Sequence, residues 1–245
     1  MILVPIKNTS AAKQRLAAVL DQPSRTALAQ AMIHDVLTAL HKWKDRPEVA
    51  IVTSDPYAVK LATEYAFEVI PDPDNPGETG AIEMATRICV ERGADSTLVI
   101  PADIPLIEAW ELEEILKHAP AEGSVLVPAA DGRGTNAAFR RPASLFPLRF
   151  GNDSFKPHHA AAQATGKPCV VLNFAGIAVD VDNPEDLQQL IALPGETRAQ
   201  QLAREYVRSG TARVGPAELR ACPEQSRRVQ PRSGARMQPT ARAVA

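Results

Sequence analysis

"STLVIPADIPLIE", residues 96–108, joins an apolar run of strand type to a carboxylate held between two prolines. Leu98, Val99 and Ile100 form the continuous apolar stretch expected of a strand buried on both faces. Pro101 and Pro105 limit the backbone on either side of Asp103 and so fix where its carboxylate points. An ordinary strand-end turn has the same composition, so the meaning of Asp103 depends on what the other strand ends carry.

Working outward, similar runs occur at "MILVPI" (1–6), "EVAIVTS" (48–54), "FEVIP" (67–71), "SVLVPAA" (124–130), "TNAAFRR" (135–141) and "CVVLNF" (169–174). Helix-period segments alternate with them. In "QPSRTALAQAMIHDVLTALHKWK" (22–44), Pro23 takes a first-turn position, and Leu28, Met32, Val36 and Leu40 recur every four residues, the mark of an amphipathic helix facing a core. Further helices are expected over 56–66, 78–92, 108–118, 154–165 and 184–192, the last opened by Asn183 as cap and Pro184 in the first turn. The pattern predicts an α/β fold: a Rossmann-like, mostly parallel sheet with helices on both faces. In such sheets ligands bind beyond the carboxyl ends of the strands, which makes the post-strand residues the ones to read.

The chain has 245 residues, 45% hydrophobic and 23% charged, a composition that fits an ordinary globular protein. Its three cysteines, Cys89, Cys169 and Cys222, are scattered and form no CxxC, which argues against a disulfide framework or a zinc site and fits a reducing cytoplasm. No stretch resembles a secretion signal or a membrane span. From Thr211 to Ala245 seven arginines face two glutamates, with few large apolar residues and repeated Pro, Ser and Gln. This composition predicts one domain over 1–209 and a disordered basic tail over 210–245. Arginines so dispersed give no reason to expect a nucleic-acid partner.

Four constellations carry possible chemistry. In "GIAVDVDNPEDLQQL" (176–190), Asp180 and Asp182 lie two apart, so an extended chain projects both to one face, where like charges repel unless a cation intervenes. With Asp103 arriving from another strand end, Mg²⁺ is a natural counter-ion; the alternative is that Asp182 caps a helix and Asp180 is solvated. "AADGRGTNAAFRRP" (129–142) offers Thr135 and Asn136 after a glycine-containing turn that a plain hairpin would also need. "RFGNDSFKPHHAAA" (149–162) sets Gly151 and Ser154 ahead of a helix, where free N–H groups favour a phosphate, or where Ser154 is simply an N-cap. His158 and His159 are adjacent, do not share a helix face, and do not read as metal ligands. The opening "PIKNTSAAKQRL" (5–16) brings Lys7, Lys13 and Arg15 behind the first strand. Cations opposite carboxylates that bind a metal form a site for a polyphosphate. The chain has neither GxxxxGK[ST] nor GxGxxG, which removes P-loop ATPases and dinucleotide oxidoreductases.

Taken together and in order, "VPIKNTSAAKQRLA", "VIPADIPLI", "DGRGTNAAF", "RFGNDSF" and "VDVDNPEDL" resemble the guanylyltransferases of deazaflavin coenzyme F-420 biosynthesis, within the MobA-like nucleotidyltransferase group, over about residues 1–192. The resemblance implies a GT-A-type fold and a Mg²⁺-dependent cytoplasmic enzyme. Its substrates would be GTP and a small phosphorylated carboxylic acid: phosphoenolpyruvate, 2-phospholactate or 3-phosphoglycerate. It implies metal binding by Asp103, Asp180 and Asp182. It places Lys7, Lys13 and Arg15 in the catalytic nucleotide loop, and the acid near Thr135, Asn136, Gly151 and Ser154. The family often has Gly-Leu-Asn near the nucleobase, whereas this chain reads "PGETGAIEMA" (76–85). Glu78, Thr79 and Gly80 there could still meet the base, since a carboxylate accepts from guanine's N1–H and amine. The departure leaves cytidylyl or another nucleotidyl transfer open; the other rivals are a molybdopterin-type nucleotidyltransferase, whose glycine-rich opening loop is absent from "PIKNTSAAKQRL", and a non-catalytic domain of the same fold, against which the three aspartates stand. Residue identities leave the choice of acid and the state of assembly open, a homodimer included.

Overall fold

The computed structural model describes residues 1–74, 77–151 and 153–212. In chain order it contains β1 (Ile2–Pro5), short 3₁₀ turns at Thr9–Ala11 and Gln14–Leu16, α1 (Gln22–Lys42), β2 (Val49–Val52), α2 (Pro56–Glu64) and β3 (Glu68–Ile70). There follow α3 (Glu78–Glu91), β4 (Thr97–Val99), α4 (Ala109–Lys117), β5 (Gly123–Pro128), β6 (Thr135–Arg141), α5 (Phe155–Ala164), β7 (Cys169–Val171), α6 (Pro184–Ala192) and α7 (Arg198–Arg208). All seven strand-type runs form strands, joined in one sheet of order β3-β2-β1-β4-β6-β5-β7. Only β6 runs against its neighbours β4 and β5; the other pairings are parallel.

Alternation along the strands divides the core. Ile2 and Val4 point to the face covered by α1, α2 and α4, where Val36, Leu40, Leu61 and Ile115 pack. Leu3 points to the other face, with Ile82 and Ala85 of α3 and Ala162 of α5. A third cluster lies behind α1, where Leu16, Leu28 and Met32 meet Val181, Leu187 and Leu190 with Ala199 and Ala203 of α7. Here α1 is apolar on two sides, one against the sheet and one against the C-terminal helices.

Residue 209 does not end the body, because Ala212 is 7% exposed and its N–H reaches the Tyr206 carbonyl at 2.9 Å. The expected disordered tail lies, from residue 213 on, outside the described residues. No helix among the described residues is long and apolar enough to cross a membrane.

Candidate active site

The strand order decides where a ligand can sit. From β1 the chain builds outward to β2 and β3, then returns to place β4 on the other side of β1, so the connections diverge and a crevice opens between the carboxyl ends of β1 and β4. The loop after β1 carries the basic residues, and the loop after β4 carries Asp103. A cleft of about 400 Å³ lies there, with Lys7, Lys13, Arg15, Glu78, Asp103 and Asp182 in its wall.

The basic loop is fastened before it is charged. Thr9 is buried, and both its N–H and its hydroxyl donate to Asp55 Oδ2, at 2.8 and 2.9 Å. Asp55 also caps α2 by accepting from the Ala58 N–H at 3.0 Å, so one carboxylate ties the first loop to the second. Beyond this anchor Lys13 adopts a left-handed backbone, φ 54° and ψ 46°, a conformation that disfavours a residue with a Cβ. The result is an ammonium aimed into the cleft. Lys13 Nζ donates to Asp103 Oδ2 at 2.8 Å and to Asp182 Oδ1 at 2.7 Å, across 90 and 169 residues of chain. Arg15 Nη1 approaches Asp182 Oδ2 at 3.8 Å. Lys7 turns to the rim, where its Nζ donates to Asp72 Oδ2 at 2.8 Å.

The aspartates come from two joined segments. The Val181 N–H donates to the Asp103 carbonyl at 3.1 Å, and Val181 is fully buried, so Asp180 and Asp182 flank an anchored residue. Asp182 faces Lys13, while Asp180 Oδ1 accepts from Asn136 Nδ2 at 3.0 Å, a group that also donates to the Ile177 carbonyl.

Charge is crowded here. Burial raises the Asp180 carboxyl to about 6, with Asp103 and Asp182 adding to the rise against the Asn136 hydrogen bond. Burial and then Asp103 lift Glu78 to about 7, with Lys13 and Lys7 pulling the other way. Burial opposes the charge on Lys13, yet Asp103 and Asp182 outweigh it and hold the ammonium's pKa above its ordinary value. Burial likewise opposes ionised Asp182, and Lys13 keeps its carboxyl below the usual range.

Among the described residues no three His, Cys, Asp or Glu side chains are grouped closely enough to form a metal site, and Lys13 stands between two of the three aspartates. Their chemistry nevertheless fits a hard divalent cation, since all three offer carboxylate oxygens.

The remaining predicted residues, Thr135, Asn136, Gly151, Ser154, Thr79 and Gly80, do not line this cleft, and Asn136 joins it only through Asp180. The Asp131 carboxylate accepts from the N–H groups of Arg133 and Gly134, with Gly132 at φ 70°, and this Asx turn delivers Thr135 to the start of β6. Ser154 does not cap α5 with its side chain; its Oγ accepts from the Thr135 N–H at 3.0 Å. Gly151 sits exposed at φ 123°, a backbone that glycine adopts readily. In the first turn of α3, Thr79 Oγ1 accepts from the Phe150 N–H at 2.9 Å and so ties that helix to the segment before Gly151, while Gly80 lies within α3.

Three residues that matter were missed from sequence. Asp55, just before Pro56, caps α2 and also holds Thr9. Asp72 follows a strand end, where the rule that singled out Asp103 would have found it. His158, set aside as a metal ligand, is bonded to Thr135.

Comparison with known proteins gives the family. The family model described as "Guanylyl transferase CofC like" matches residues 1–230. The phosphoenolpyruvate guanylyltransferase of Sphaerobacter thermophilus is 34% identical over 188 residues, 77% of this chain and 90% of that protein. The 2-phospho-L-lactate guanylyltransferase of Methanothermobacter thermautotrophicus is 32% identical over 88% of this chain and 92% of its own. The 3-phospho-D-glycerate guanylyltransferase of Colwellia psychrerythraea is 32% identical over 78% and 91%. Among solved structures, a proposed nucleotide-diphospho-sugar transferase from Desulfovibrio desulfuricans G20 superposes with a TM-score of 0.69 at 19% identity, covering 84% of this chain and 94% of that one, a likeness of fold.

Proposed function

The chain belongs to the family of CofC-like guanylyl transferases, and from that premise we propose that it transfers GMP from GTP to a small phosphorylated carboxylic acid, releasing diphosphate, as a step in coenzyme F-420 biosynthesis. Phosphoenolpyruvate, 2-phospholactate and 3-phosphoglycerate are the candidate acceptors, each the substrate in a relative's name. The observation that carries the reading is Lys13, its side chain 10% exposed and bonded to Asp103 and Asp182 at the crevice between β1 and β4.

In this reading Lys7, Lys13 and Arg15 spread positive charge over the non-bridging oxygens of the triphosphate. Thr135, Gly151 and Ser154 hold the acid's phosphate. An oxygen of that phosphate attacks the α-phosphorus of GTP; the new P–O bond forms as the bond from the α-phosphorus to the bridging oxygen breaks, and diphosphate leaves with the electron pair. The attacking phosphate is largely ionised at neutral pH, its second pKa being about 6, so no general base and no covalent enzyme intermediate are required. The cationic loop acts twice, holding the nucleotide and lowering the repulsion between two anions. Asp103, Asp180 and Asp182 would hold Mg²⁺, which supplies Lewis-acid withdrawal of charge from the reacting phosphate. Glu78, facing the cleft, is the candidate acceptor for the guanine edge.

The test is a product assay with purified protein and Mg²⁺, offering GTP or CTP with each acid in turn and reading products by mass spectrometry. A guanylated acid plus diphosphate is expected. A cytidylated product, or none, would overturn the assignment.

A further inference from the structure

β6 opens with two residues whose side chains leave on opposite faces: Asn136 toward Asp180, Thr135 toward α5. On the α5 side His158 is 1% exposed, and both of its ring nitrogens are engaged. Nε2 lies 2.7 Å from the Arg149 amide nitrogen, and Nδ1 lies 2.9 Å from Thr135 Oγ1. A backbone N–H can only donate, so Nε2 must present a lone pair, and a neutral ring then carries its proton on Nδ1. The ring is neutral near pH 7: burial, with the Arg140 guanidinium nearby, brings its pKa down to about 4. Phe150 packs edge-on against it with centroids 5.1 Å apart, which fixes the ring plane.

This tautomer dictates the state of its partner. Nδ1–H donates to Thr135 Oγ1, so the threonine's own proton must point elsewhere, and among the described residues no group accepts it. Ser154 is in the same condition, its Oγ accepting from the Thr135 N–H while its proton has no acceptor among the described residues. Each of these two buried hydroxyls accepts one hydrogen bond and keeps its own proton unspent among the described residues.

We propose that His158 is a positioning residue of the acceptor site, locking the Thr135 hydroxyl as a donor toward the ionised phosphate of the acid. The proposal rests on the reading of Thr135 and Ser154 as contacts to that phosphate. A hydroxyl left to rotate would turn its lone pairs toward an anion part of the time, which repels; one held as a donor is organised before the ligand arrives. His158 touches neither substrate and acts through Thr135 alone.

Two variants and one spectrum test it. His158→Phe keeps the bulk and removes the donor, while His158→Asn places an amide N–H close to where Nδ1–H stands. With GTP and whichever of the three acids turns over, His158→Phe should raise KM for the acid about tenfold or more, leaving KM for GTP within about twofold. His158→Asn should recover most of the loss. Long-range ¹H–¹⁵N spectra of the wild-type protein should show His158 as the Nδ1–H tautomer, a reading that survives if the variants fail to fold. The Nε2–H tautomer would overturn the proposal. An unchanged acid KM in His158→Phe, or an equal rise in both KM values, would overturn it too while leaving the functional reading intact. Absence of turnover with every acid in wild-type protein would instead overturn the functional reading, and this role with it.

Discussion

The Val181 N–H donates to the carbonyl oxygen of Asp103 at 3.1 Å, so the two segments bearing the site's aspartates are joined by main chain. Asp103→Asn should therefore leave the two segments together and the melting temperature almost unchanged, because Lys13 keeps its bond to Asp182. Turnover should drop by at least about 10²-fold, the usual effect of removing one group that stabilises transition-state charge. Circular-dichroism melts beside a diphosphate-release assay separate the two effects; retained activity would remove Asp103 from the chemistry.

Asp72 is 4% exposed and its only ion-pair partner among the described residues is Lys7. Lys7→Met should strand a buried carboxylate and cost about 1–3 kcal/mol. Adding Asp72→Asn should return part of that cost, giving a coupling of roughly 1 kcal/mol in a double-mutant cycle by urea denaturation. Additive effects would mean that the pair contributes nothing to the rim.

His158 titrates near 4 in the folded protein against an ordinary 6.5. The folded state thus binds fewer protons than the unfolded chain between these values, so this component of stability is complete above 6.5, declines as pH falls toward 4, and is flat below. The decline amounts to roughly 3 kcal/mol. The unfolding free energy of wild type should fall relative to that of His158→Asn as pH drops from 6.5 to 4. A gap that does not change with pH would contradict the shift.

Asp35 lies on α1 yet caps α7, accepting from the N–H groups of Arg198 and Ala199 at 3.0 and 2.8 Å. Asp35→Ala should cost about 1–2 kcal/mol and loosen α7 first, visible as faster amide exchange in 198–208 with the sheet amides unaffected. Uniform acceleration across the chain would show that α7 has no independence.

That helix also shows why part of the fold was hidden. The seven strands announce themselves as continuous apolar runs, and Lys7, Lys13, Asp103 and Asp182 lie where strand-end logic directs attention. In α7 the sequence is "RAQQLAREYVR", whose buried positions are Ala199, Gln200 and Ala203, and it is held by a cap from a residue more than 160 positions earlier. No local periodicity reports such an attachment. His158 was hidden for a similar reason: its partners are a strand-end hydroxyl and a backbone N–H, neither of which can be paired with it before the chain is folded. The pairing of Lys13 with both Asp103 and Asp182 was legible only as opposite charges at strand ends; that the lysine itself bridges the carboxylates depends on its left-handed backbone.

Leu16 follows the cationic loop and Val181 divides the acidic pair, and both belong to the cluster behind α1 instead of to either core of the sheet. The machinery is therefore mounted on an annex whose other walls are α6 and α7. Whatever loosens the packing of α6 or α7 also loosens the footing of the residues beside Arg15 and Asp182, far from any ligand.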